Sequence, residues 1–88
     1  MPTKEEIRQK VKSILADEAN ISIEDIIDTG KLTDFPLNLD KSDLLPVTIK
    51  LRQYVKTQKA DQTVLVKETR TPGLTVNGLT DLINTKLN

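Results

Sequence analysis

The chain has no cysteine, histidine or tryptophan, and its aromatic side chains are limited to Phe35 and Tyr54. Without Cys and His there are no thiol nucleophiles, disulfides, Cys/His zinc sites or histidine bases. A Ser-His-Asp triad is excluded, and an enzyme built on unaided carboxylates in 88 residues is not expected. Charge of one sign is also missing: thirteen Lys and Arg balance thirteen Asp and Glu, and the pI is about 6.2. That leaves no overall basic footprint for nucleic acid. No apolar run approaches the roughly 20 residues of a membrane span, and no charged-then-apolar leader opens the chain. The lack of Cys fits a cytoplasmic protein. With 36% hydrophobic residues, one small core and a single domain, 1–88, are expected.

The scarcity of aromatics argues against a small β-barrel or sandwich, and helical signals are present instead. Thr3-Lys4-Glu5-Glu6 reads as a capping box. Ile7, Val11, Ile14 and Leu15 follow on one face, predicting a helix over about residues 4–18. Ser22 opens a short turn over residues 23–28, with Gly30 assigned to the left-handed position after it. Residues 30–40 read as a loop, pinned to the core by Leu32, Phe35, Leu37 and Leu39. Leu44, Val47, Thr48, Leu51, Tyr54 and Val55 then make the buried stripe of the central helix, about 120° wide. Leu45 and Ile49 lie outside that stripe, either under a neighbouring loop or as a patch for a partner.

Proline is accommodated best in the first helical turn. Pro46 therefore moves the expected helix start to Ser42 or Asp43 and makes Ser42 its N-cap, with the side chain in solvent. The Val64-Leu65-Val66 cluster could form a helix, a strand or a loop plug, and Thr71-Pro72-Gly73 ends that segment. Thr75 caps a last helix carrying Val76, Leu79, Leu82, Ile83 and Leu87. The expected fold is all-α: a bundle of three main helices plus one short helix, with a long loop after the first.

This pattern resembles the acyl carrier proteins. Leu37-Asn38-Leu39-Asp40-Lys41-Ser42 is similar to the family's Leu-Gly-x-Asp-Ser-Leu motif, and Thr75-Val76-Asn77-Gly78-Leu79 is similar to the opening of its last helix. The resemblance implies a protein that catalyses nothing itself. It implies a phosphopantetheine arm attached at Ser42 beside Asp40, carrying acyl or aminoacyl groups as thioesters in lipid or polyketide biosynthesis. The arm would supply the thiol that the chain lacks. The implied partners are a phosphopantetheinyl transferase and acyl-transferring enzymes, and a monomer is expected. An acyl chain would enter between the helices near Leu44, Val47, Leu51 and Leu79, a usual ligand position in bundles. A second register is open. Aligned on Val47, Leu51 and Val55 as core positions, the pattern puts Lys41 where the serine belongs. The chain is then an unmodified bundle serving as a protein-interaction module.

Charge is segregated along the chain. Residues 1–45 hold ten acidic and six basic groups, and residues 46–88 hold three and seven, so the halves carry −4 and +4. The resemblance implies an acidic central helix, whereas Lys50, Arg52, Lys56 and Lys59 make its second half basic. The expected contact surface is Leu45 and Ile49 rimmed by Lys50, Arg52 and Lys56, suited to a partner with an acidic rim.

Overall fold

The computed structural model describes residues 2–88 and is all-helical, with α1 at Lys4–Ala19, α2 at Lys41–Gln58, α3 at Val66–Thr69 and α4 at Val76–Leu87. A single 3-10 turn, Ile23–Asp25, lies in the α1–α2 connection. Three long helices and one short one form the expected bundle, 33 × 23 × 20 Å in extent. None of the helices is long and apolar enough to cross a membrane.

Local chemistry sets the helix ends. The Thr3 hydroxyl accepts the Glu6 N–H at 3.1 Å, and the Glu6 carboxylate accepts the Thr3 N–H at 3.0 Å, so two otherwise unpaired amides are satisfied reciprocally. Asn20 closes α1 in the left-handed conformation at φ 58°. The Thr75 hydroxyl accepts the Gly78 N–H at 2.9 Å and starts α4. Gly30, by contrast, is not the left-handed residue expected of it. Its N–H donates to the Ile27 carbonyl at 2.9 Å, and an added Cβ would stand 3.1 Å from that same oxygen. A side chain there would press on the turn's own backbone. Positive φ is required at Gly73, φ +76°, in the Thr71-Pro72-Gly73 break.

The core is aliphatic. Ile7, Val11 and Leu15 of α1 meet Val47, Leu51 and Val55 of α2 and Val76, Leu79, Ile83 and Leu87 of α4, all buried. Tyr54 is half-buried at its edge, with the Lys10 ammonium 5.8 Å from the ring centroid. Burial and the nearby Glu6 carboxylate raise the Tyr54 pKa above its usual value.

The long loop is pinned by backbone as well as side chains. Leu32 N–H donates to the Leu74 carbonyl, Val76 N–H to Gly30 and Asn77 N–H to Asp28, at 2.9–3.1 Å. These bonds lay residues 28–32 against the segment entering α4. Leu32, Leu37 and Leu39 are buried as expected, but Phe35 is not: it is 78% exposed. Leucines on both sides already fill the space beneath the loop. The ambiguous cluster resolves residue by residue, with Val64 buried, Leu65 exposed and Val66 opening α3. The Glu68 carboxylate then ties α3 down, accepting the Leu65 N–H at 2.8 Å and meeting the Lys86 ammonium of α4 at 3.1 Å.

Candidate functional site at the head of the central helix

The start of α2 differs from the expectation in one respect that matters. Ser42 is not the N-cap; Asp40 is, and Ser42 occupies the second helical position. The Asp40 carboxylate accepts the Asp43 N–H at 3.0 Å, and the Asp43 carboxylate accepts the Asp40 N–H at 3.0 Å. Two aspartates thus form a capping box usually built from Ser or Thr with Glu. That pairing begins the helix upstream of where Pro46 alone would place it.

Pro46 is consequently the sixth helical residue, beyond the first turn. It has no N–H to give the Ser42 carbonyl four residues back. Both the hydroxyl and the carbonyl of Ser42 therefore stand outside the helical hydrogen-bond ladder.

The Ser42 side chain is exposed, and its hydroxyl donates to Asp40 Oδ1 at 2.7 Å. This bond, followed by the Asp43 N–H, holds the Asp40 carboxyl below its usual pKa. The arrangement is a primary hydroxyl in solvent, oriented by an ionised carboxylate. Lys41, immediately before it, is exposed and has no carboxylate partner among the described residues.

Beyond Ser42, Leu45 and Ile49 continue the same face of α2 and are 45% and 43% exposed. They form an apolar stripe rather than being covered by a loop. The expected basic rim is only partly assembled. Lys56 is exposed on this face. Lys50 lies about 100° round the helix from Ile49 and instead lines the cleft between α1 and α2 with Lys10 and Asp17. Arg52 shares the stripe's face, but its Nε–H donates to the Val64 carbonyl at 3.0 Å. That bond draws the 64–65 segment alongside, where Leu65 is 44% exposed. Leu65 is thus a further exposed apolar side chain, on a segment tied to α2 through Arg52.

The proposed acyl-lining positions Leu44, Val47, Leu51 and Leu79 are all packed core. Of these only Leu44 also reaches a cleft, one of about 350 Å³ between the loop, the first turn of α2 and the α3–α4 link. Arg70 crosses beside it, its Nη2 donating to the Lys41 carbonyl at 2.7 Å. Inside the adjoining core, the Thr48 and Thr69 hydroxyls meet at 2.6 Å. Each also reaches a carbonyl of its own helix, Leu44 at 2.7 Å and Val66 at 2.9 Å. Two hydroxyl hydrogens serve three such contacts, joining α3 to α2 through a small buried polar network. Compared with protein-family models, curated proteins and solved structures, the chain gives no match.

Proposed function

We propose that this bundle is a carrier that takes a phosphopantetheine arm on Ser42 and presents acyl or aminoacyl thioesters to other enzymes. The observation that carries the reading is the Ser42 hydroxyl: solvent-exposed, on the first turn of the central helix and hydrogen-bonded to Asp40. A hydroxyl that attacks phosphorus must release its proton, and Asp40 already accepts that hydrogen bond. The long, pinned loop before α2 leaves the serine clear of the core.

The residues fit a phosphodiester at Ser42, with one opposing feature. Exposure and the helix N-terminus favour it, and Lys41 supplies a neighbouring cation. Asp40 and Asp43 place two negative charges nearby and already occupy two first-turn amides. The arm, once attached, supplies the thiol for thioester chemistry. The chain's own contribution is to hold the serine outward and offer a docking surface.

The test is incubation with coenzyme A and a promiscuous phosphopantetheinyl transferase, followed by intact mass. One added arm per chain is expected, absent in Ser42→Ala. No addition with several transferases removes the carrier reading.

The exposed apolar stripe of Leu45 and Ile49, with Leu65 on the neighbouring segment, favours a second reading, an unmodified interaction module whose partner presents an apolar pocket. On either reading Ile49→Asp leaves the helical circular dichroism intact and weakens partner capture. Loss of the fold instead would make Ile49 a core residue.

A further inference from the structure

We propose that the cleft beside the head of α2 binds a free short-chain monocarboxylate, tail inward and carboxylate toward Lys41 and Arg70. This does not rest on the modification of Ser42. The cleft is walled by Leu32, Leu44 and Leu74, with Lys41 and Arg70 among its lining residues. No carboxylate lines it. Each of three other sizeable clefts among the described residues includes at least one: Glu6 in the first, Asp17 in the second, Glu68 and Asp81 in the last.

The two cations are also uncommitted. Four basic side chains form ion pairs among the described residues, Lys4, Arg8, Lys12 and Lys86, and neither Lys41 nor Arg70 is among them. Arg70 uses one of its five donors on the Lys41 carbonyl, which fixes the guanidinium at the cleft while leaving the rest of its fork for an anion. Apolar walls with cations and no acid complement a molecule that has a hydrocarbon tail and one negative head. The volume, about 350 Å³, is near the low end of the roughly 300–1,000 Å³ of ligand pockets. It suits a short tail rather than a long lipid.

The probe is octanoate below its micellar concentration, titrated into the whole, unmodified, isotope-labelled chain and followed by amide chemical shifts. Octanol and octyltrimethylammonium serve as the uncharged and oppositely charged controls. Saturable shifts confined to amides around Thr33, Thr69, Arg70 and Leu74 are expected, with weaker binding of both controls. Lys41→Gln and Arg70→Gln should each weaken octanoate roughly two- to fivefold, as for exposed charge pairs. Lys41→Gln keeps the test decisive if Arg70→Gln disturbs the α2–α3 tie. Ser42→Ala should bind octanoate like the parent chain, so failure of the carrier reading leaves this result untouched. Equal binding of octanol, no effect of Lys41→Gln, or shifts dispersed over the molecule without saturation would each overturn the proposal.

Discussion

At Ser42 a single hydrogen bond links the chemistry of two residues. The hydroxyl is the largest influence lowering the Asp40 pKa, so Ser42→Ala should bring that pKa back toward the ordinary 3.8. A carbon-detected NMR titration of the Asp40 carboxyl reads this directly, and an unchanged value would mean the bond is not populated. Glu5, Glu6 and Glu68 are lowered as well. For Glu5 the cause is bonds from Gln9 and Arg8, and for Glu6 it is the Thr3 cap. At Glu68 burial pushes upward but is outweighed by the Leu65 N–H and Lys86. Carboxylates with lowered folded pKa values stabilise the fold above their unfolded values. Their contribution is lost as pH falls through the folded ones, so urea midpoints should hold above about pH 5 and decline progressively below it. At the other end of the chain, Thr75→Ala should cost about 1 kcal/mol in urea unfolding by removing the α4 cap. Single residues were unevenly legible in the sequence. The Thr3 and Thr75 caps follow from local spacing alone. Phe35 does not, because whether an aromatic in a loop is covered depends on which neighbours reach the space first, and Leu32, Leu37 and Leu39 do.

Among the elements, α2 has the most to explain. Its buried stripe was readable from periodicity, and Leu51→Ala should cost about 2–5 kcal/mol, whereas Leu45→Ala on the exposed face should stay within about 0.5 kcal/mol. Its start lies upstream of the position that Pro46 as a first-turn residue implies, because the reciprocal Asp40–Asp43 cap reaches further back. A proline past the first turn costs the helix one backbone hydrogen bond. Pro46→Ala restores a donor to the Ser42 carbonyl and should stabilise the domain by about 1–3 kcal/mol; thermal unfolding checks this, and no gain would mean the helix has already adapted to the ring. The small helix α3 could not be read at all. Four residues give no periodicity, and its position rests on tertiary contacts: the Thr48–Thr69 hydroxyl pair, Glu68 with Lys86, and Arg52 with the Val64 carbonyl.

For the molecule as a whole, the bundle, its single core and its long connection follow from aliphatic spacing and punctuation, but the functional surface follows less directly. Charge segregation along the chain foretold a basic second half for α2. The folded helix distributes those charges, sending Lys50 to the α1 side and binding Arg52 to backbone. What remains around Leu45, Ile49 and Leu65 is more apolar and less basic than the linear sequence implies, so partner binding there should depend only weakly on salt. The central claim, an arm-bearing serine at the head of α2, is tested most directly by locating the modification. Trypsin cutting after Lys41 and Lys50 isolates residues 42–50, which contain Ser42 and Thr48 as their only hydroxyl side chains. After incubation with coenzyme A and transferase, fragmentation of that peptide should place the whole added mass on Ser42. An unmodified peptide from a reaction in which a control carrier is fully converted would contradict the account.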